Sequence, residues 1–522
     1  MISWLISWLV SAAYSALSWA RGVGSSSLTN EPHAAPMTAL YDAAAAGSLQ
    51  GVHGLLARGS MNIDQGNSEG ITPLIVAAAR GHTPVVGALL SKGASVEAVS
   101  DQGATALHTS SLLGHLAVCE LLIKAGSDLE ATTSYGYTCL HLSGTKGHLR
   151  VMTELIDAGE KIDSRLPSGA TPLLLCAQEG QFAACDLLVK RGAHVEARSD
   201  DRRTPLHVSA CEGHVRIMEM LIAAGANINS RLADGRTPLH MCAMEGHVGA
   251  VRVLLRARAN PLLTNRTTPV NTYVPLDAAV RHGRLGVVRE LIQQLGIRGC
   301  AGASGGMEAL RLAAQNDYVD IVVALVEAGV EDAGAALVGA IGYGREAPVK
   351  ALLRLKERAT GPYGARAYAN VYANLGGQPG TPLILAIGFA RHRPLPRIVR
   401  MLVDAGADTV SAVKTGTYVA DATPLEFATR YIREKKVDGQ GATEEQLHKL
   451  EAIRRLLLRV ESVRAVSWLW PRDVLSLHHA VEGSRKTQTI STPMRRMLPL
   501  LRRRARTGSV SPSVMFRSSG KP

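Results

Sequence analysis

Aromatic residues are scarce in this chain: four Phe and an aromatic share of 4% over 522 residues. The core must therefore be built from Leu, Ala and Val, of which Ala and Leu are strong helix formers. Charged residues make up only 19% and apolar residues 46%, so most of the chain can bury a core. Cysteine is equally sparse, with seven at 119, 139, 176, 185, 211, 242 and 300. An odd number without any C-x-x-C pair argues against a disulfide framework and a cysteine-rich zinc module, and fits a reducing compartment. Neither G-x-x-x-x-G-K-[ST] nor H-E-x-x-H occurs, and "GASGGM" is not a G-x-G-x-x-G fingerprint. Basic charge is unevenly placed. Of the net +13, residues 462–522 carry twelve Lys or Arg against Asp473 and Glu482, a net of +10. The rest of the chain is nearly neutral.

What is present raises a chemical question. The stretch "DDRRTPLHVSACEGHVRI" (200–217) sets His207, Cys211, Glu212 and His214 close together, residue types that ligate zinc or support nucleophilic chemistry. A period answers it. Thr72, Thr105, Thr138, Thr171, Thr204 and Thr237 are each separated by 33 residues, and a glycine follows nine residues after each. His follows that glycine in five cases, and Gln181 in the sixth.

"TPLH" stands intact at 204–207 and 237–240 and is relaxed to "TPLI", "TALH", "TCLH" and "TPLL" in the other registers. This resembles the ankyrin repeat in period and signature. The resemblance implies an all-α repeat solenoid of helix-turn-helix units with hairpin loops, roughly eleven of them. Thr caps the first helix and Pro fits its first position. The residue five after Thr is always small (Ala77, Ser110, Ser143, Cys176, Ser209, Cys242), which lets helices approach. The following glycine ends the helix in a left-handed conformation. In this reading His207 occupies the slot of His108, His141 and His240, and His214 that of His82, His115, His148 and His247. The family histidine in the first slot bonds between neighbouring repeats. No catalytic, cofactor or metal role is left for the cluster.

A longer period of 66 lies over the first: "GHLRVMTELIDAG" (147–159) and "GHVRIMEMLIAAG" (213–225) share eight of thirteen positions. The expected organisation is an apolar segment 1–21, a linker 22–36, a regular block 37–295, a Gly-rich hinge 296–306, a degenerate block 307–460 and a basic, disordered tail 461–522.

The two ends suggest further contacts. "MISWLISWLVSAAYSALSWARG" is uncharged until Arg21. Residues 2–20 as a helix would extend about 28 Å, just short of a hydrocarbon core. A membrane-spanning or interfacial helix, a signal peptide and a helix packed on the end of the array all compete as readings. Positive charge on the C-terminal side of a span would keep the repeats cytosolic. The expected location is cytoplasmic, with membrane association through residues 2–20 and nuclear import through the basic tail as alternatives. The tail, residues 484–522, suits nucleic acid or an acidic surface, and Ser509 and Ser511 sit in kinase-site patterns.

The resemblance implies a non-enzymatic scaffold that binds protein partners on a concave surface of hairpin tips and first helices. An enzyme carrying ankyrin repeats is the third reading, and no catalytic motif supports it. In family geometry the eighth residue after Thr faces that surface: Arg80, Leu113, Lys146, Glu179, Glu212, Glu245 and His282. Three successive Glu form an acidic ladder suited to a basic partner segment. Tyr135, Tyr137, Asp200, Asp201, Arg203, Asp234 and Arg236 precede the capping Thr residues and complete the candidate surface with Lys146. The sequence leaves the oligomeric state open. If the His207–Cys211 cluster is scaffold, the purified protein carries no stoichiometric zinc, and a chelator leaves its far-ultraviolet helical signal unchanged. One zinc per chain, lost together with structure, would overturn that assignment.

Overall fold

The computed structural model describes residues 36–468 apart from 59–61, 266–271, 302–305, 331–332, 361–368, 371–372, 376–377, 390–394, 410–412, 416–418 and 438–442. Two compact units are present, one comprising the chain to Asp408 with residues 413–422, the other residues 409–412 and the chain from Thr423. The apolar segment 2–20, the linker up to residue 35, the tail beyond 468 and Ser509 and Ser511 lie outside the described residues.

Each period becomes a pair of short helices. In the first unit these run from Pro36–Ala45 with Leu49–Leu56, through Pro73–Ala79 with Thr83–Ser91 and Pro205–Glu212 with Val215–Ala223, to Pro382–Ile384 with Pro396–Asp404. Eleven such pairs are described there, and a twelfth, Pro424–Val437 with Glu444–Trp468, forms the second unit. Within the first unit, first helices pack on the first helices of the next repeat, and second on second. The buried residues form a continuous strip of Leu, Val and Ala, with Met152, Leu155, Leu173, Leu188 and Leu206 essentially inaccessible. All six small residues five after Thr are fully buried at 0% exposure, where a larger side chain would force neighbouring helices apart.

The helix caps follow the sequence closely. Thr72 Oγ1 accepts from the Ile75 amide at 3.3 Å, and Thr105, Thr138, Thr204 and Thr237 pair with a histidine three residues on. Gly114, Gly147, Gly213 and Gly246 end first helices in the left-handed region. Among the described residues three non-glycine residues share a positive φ: Arg202, Arg258 and Asp317 at 62°, 66° and 67°. Each replaces the glycine that other repeats place in the same slot.

Two features differ from expectation. Among the described residues the array carries four short strands in two antiparallel hairpins, Ala373–Leu375 (β1) with Gln378–Gly380 (β2) and Val413–Thr415 (β3) with Val419–Ala422 (β4). Both directly precede a Thr-Pro helix start, so they are inter-repeat loops long enough to pair as strands. The expected hinge at 296–306 is not a boundary between compact units. Gly296, with φ 67° and ψ 168°, kinks the helix Leu285–Ala301, and helical turns resume to Ala301. Helix Pro275–Arg281 packs on Met307–Gln315 across this segment, so stacking is unbroken.

Two glycines separate backbone strain from crowding. Gly213 has φ 76°, and a Cβ there would lie 2.6 Å from His247 Nδ1; Gly225 has φ 90° with nothing within 4 Å. Gly225→Ala is expected to cost about 1–2 kcal/mol from the left-handed backbone alone. Gly213→Ala is expected to cost about 1–3 kcal/mol more, because the imidazole must move. Urea unfolding of the two variants checks the order, and equal losses would show that the ring contact is immaterial.

Candidate protein-binding surface

The histidines that first suggested chemistry are all engaged by the scaffold. At the start of the first helix, the Thr204 amide donates to His207 Nδ1 at 3.3 Å, and Thr204 Oγ1 lies 2.9 Å from the same nitrogen. Thr105–His108, Thr138–His141 and Thr237–His240 repeat the arrangement. With Nδ1 accepting from an amide, the ring proton resides on Nε2 and points toward the next repeat. His108 Nε2 lies 3.0 Å from the Ala131 carbonyl and His240 Nε2 3.2 Å from that of Tyr273, while the buried His207 Nε2 meets no acceptor within hydrogen-bond distance among the described residues. Burial is the main cause that lowers all four imidazoles to about 4, so each is neutral near pH 7.

The second histidine slot forms another ladder. Nε2 of His82, His115, His148, His214 and His247 lies 2.9–3.1 Å from the carbonyls of Ala45, Ala79, Leu112, Gln178 and Cys211. Gln181 takes the same place with the Thr145 carbonyl at 3.2 Å. Those acceptors end the preceding first helix, where carbonyls lack intrahelical partners. Among the described residues no group of three or more His, Cys, Asp or Glu could hold a metal ion.

A third ladder was not anticipated. Carboxylate or amide oxygens of Asp64, Glu97, Glu130, Asp163, Glu196 and Asn229 each accept an amide 31 residues later, from Ser95, Asp128, Lys161, His194, Asn227 and Asn260. The signal was available as an oxygen-bearing residue every 33 positions. A literal G-x-S-x-G runs from Gly302 to Gly306; residues 302–305 lie outside the described residues, and a helix rather than a strand leads into it.

The expected binding surface is only partly assembled as anticipated. Lys146, Glu179, Glu212, Glu245, Asp200 and Asp201 are exposed, and Tyr135 is 44% exposed. Tyr137 is not available as a surface anchor. It is 8% exposed, its ring stands edge-on to His141 at 6.2 Å, and burial followed by the Glu179 charge raises its phenol. Arg203 and Arg236 are half-buried and held in their own loops, by Asp201 at 3.0 Å and Asp234 at 2.6 Å. The acidic ladder is partly compensated. Glu245 lies 3.8 Å from Arg284, and Arg203 and Arg236 share the surroundings of Cys211 with Glu212 and Glu245. Cys211 is half-buried, and burial first, then the two Glu, raises its thiol. Of the three Glu, Glu179 has the aromatic neighbourhood, through Tyr137.

With this geometry in place, the chain can be compared with known proteins. A family model for ankyrin repeats, in copies of three, matches residues 40–133, 96–166, 129–199, 195–265 and 227–303, together just over half of the chain. Among solved structures, the ankyrin-repeat domain of human ASB11 is 28% identical, aligning over 42% of this chain and 96% of that one with a TM-score of 0.39. No curated protein matches.

One buried acid departs from the repeat. Glu160 occupies a slot filled by Ala94, Ser127, Ala193, Ala226 and Ala259 and is 4% exposed. Its Oε1 accepts from the Leu140 amide at 2.8 Å, yet burial raises the carboxyl to about 7. A folded value above the unfolded one favours the protonated native state. Stability from this group is therefore full below the model-peptide value of about 4.5 and is lost as pH rises to 7, about 3 kcal/mol in all. The four buried imidazoles act oppositely: their contribution is full above about 6.5 and is lost as pH falls toward 4. Glu160→Gln should thus melt with the wild type at pH 4.5 and several degrees above it at pH 8. A difference that does not vary with pH would refute this account of Glu160.

Proposed function

Because the chain belongs to the ankyrin-repeat family, we propose that it is a non-enzymatic scaffold that binds a protein partner across residues 135–245. Ankyrin repeats mediate protein–protein interaction, and the repeating framework leaves the eighth position after Thr free to vary. The observation that carries the reading is the exposure of Glu179, Glu212 and Glu245 in one slot of three consecutive repeats, beside exposed Tyr135. A basic segment of the partner suits this row, with its strongest contacts at Glu179 and Glu212, which among the described residues have no ion-paired arginine. Arg284, 3.8 Å from Glu245, then orients that carboxylate rather than cancels it, and a Lys- or Arg-bearing segment fits along the row.

A cytoplasmic location is supported by seven cysteines that are all free and, Cys211 apart, buried. Attachment to a membrane through residues 2–20, and binding of nucleic acid or another acidic surface through residues 484–522, remain alternatives carried by composition. Among the described residues no helix is long and apolar enough to cross a membrane.

The test uses the full chain as bait and a variant carrying Glu179→Lys, Glu212→Lys and Glu245→Lys. All three side chains are exposed, so the melting temperature should change by no more than about 2 °C. Capture of partners retained by the wild type should fall at least about tenfold at moderate salt. Capture that survives the reversal would remove the ladder as the binding site.

A further inference from the structure

The hairpin tips of six repeats share one turn. In each, the amide of the fourth residue donates back to a carbonyl three residues earlier, as Gly103 does to Ser100, Gly169 to Leu166 and Gly235 to Leu232, all at 2.8–3.0 Å. That fourth residue is Gly70, Gly103, Gly136, Gly169 and Gly235 in five repeats and Arg202 in the sixth. Arg202 keeps the same bond, to Ser199 at 2.8 Å, and the same left-handed φ of 62°. A long side chain is disfavoured in this region, whereas glycine adopts it freely.

Decay of the repeat does not explain the substitution. Arg258 precedes the phase slip after residue 260, and Asp317 lies in the degenerate block, but Arg202 immediately precedes an intact Thr204-Pro205-Leu206-His207 in unbroken register. A strained residue in an otherwise regular element points to a contact made by its side chain.

The surroundings say what that contact carries. Tips 66–71 and 99–104 hold Glu69 and Asp101 without any Lys or Arg, and 132–137 is uncharged. The next three tips bring Arg165, Arg198, Arg202, Arg203, Arg231 and Arg236 against Asp200, Asp201 and Asp234. Most of these arginines are already engaged. Arg165 Nη1 donates to the Arg198 carbonyl at 2.8 Å and Arg231 Nη1 to that of Thr264 at 3.0 Å; Arg203 and Arg236 pair with their aspartates. Asp200 is turned onto the preceding tip, its Oδ1 2.8 Å from where a Cβ on Gly169 would stand. Arg198 and Arg202 are both exposed, and among the described residues neither guanidinium has such a partner.

We propose that Arg198 and Arg202 form a carboxylate-binding pair on the hairpin tips, contacting an acidic peptide segment of the partner. Two planar forks on one hairpin can each take a carboxylate through paired N–H donors, which an ammonium cannot reproduce. This contact has the opposite sign to the one proposed for the Glu row, and goes beyond that reading.

A photoreactive octaglutamate peptide, cross-linked to the full-length protein and mapped by mass spectrometry, tests the pair while resolving adducts on the basic tail. Adducts are expected on tips 165–236 and not on tips 66–137. Arg202→Gly should reduce the tip adducts at least about fivefold, leave tail adducts unchanged, and raise the melting temperature by about 1–2 °C as strain is relieved. Arg202→Lys should recover only part of the labelling. Reversing Glu179, Glu212 and Glu245 should not reduce it, which separates this contact from the Glu row. Unchanged tip labelling in Arg202→Gly, or a lower melting temperature, would overturn the proposal.

Discussion

The array depends on the approach of one side chain to one glycine. At the ends of the first helices from Pro36–Ala45 to Ala333–Gly342 the chain turns through a left-handed residue, and the first side chain of the next repeat's second helix lies over it. A Cβ on Gly81, Gly114 or Gly213 would sit 2.5–2.7 Å from the nearest atom of His115, His148 or His247. Because the glycine has no Cβ, the imidazole can reach a carbonyl that the helix end leaves without a partner. One missing atom thus sets the spacing between repeats, satisfies a buried acceptor and fixes which residue follows. Where histidine is absent, three other side chains make the contact, Gln181, then Arg284 to Met244 at 2.8 Å and Arg345 to Gln315 at 2.9 Å, while Tyr318 and Leu395 pack over Gly283 and Gly344. The degenerate block therefore keeps the geometry after losing the signature.

Around this contact, two further ladders tie the loops to the helices. Histidine three after Thr faces forward to the next hairpin, and a carboxylate or amide oxygen receives an amide from the next loop. Each ladder joins only adjacent repeats, so stability accumulates locally along the stack rather than through a single centre. The interior needs small residues at the helix crossings and neutral imidazoles at the caps. Among the described residues Glu160, Asp277 and Glu290 are buried carboxyls, and Glu160 stands in a slot made for alanine.

The period, the Thr caps, the helix-ending glycines and the dissolution of the His207–Cys211 cluster were legible in the sequence because each rests on local backbone geometry. The packing around the Gly-rich segment was not. Glycines 296 and 299 read as flexible by composition, yet Gly296 takes a φ of 67° within Leu285–Ala301 and Cys300 is buried at 0% exposure. Tyr137 shows a second limit. It stands one residue before the capping Thr, a surface position by register, but its ring turns inward against His141. Register places a Cα; it does not settle which way a large side chain points. The pairing of Glu245 with Arg284 of the next repeat was hidden for the same reason, since the two are 39 residues apart in sequence.

These arginines change what the acidic row can do. A row of three unpaired carboxylates would attract any basic protein over several ångströms and would lose that attraction quickly with salt. With Arg203, Arg236 and Arg284 interleaved, and a net charge of only +3 outside the basic tail, the long-range field of the repeats is weak. What survives is a short-range pattern of alternating sign, with carboxylates at the helix ends and guanidinium groups at the hairpin tips of the same repeats. Discrimination on such a surface comes from misplacing like charges of a wrong partner, which costs several kcal/mol, more than from drawing the right one in. The constant framework and the variable surface thus divide the work. Glycine, threonine and histidine fix where each repeat stands, and the charges at two positions per repeat define which segment can lie across them.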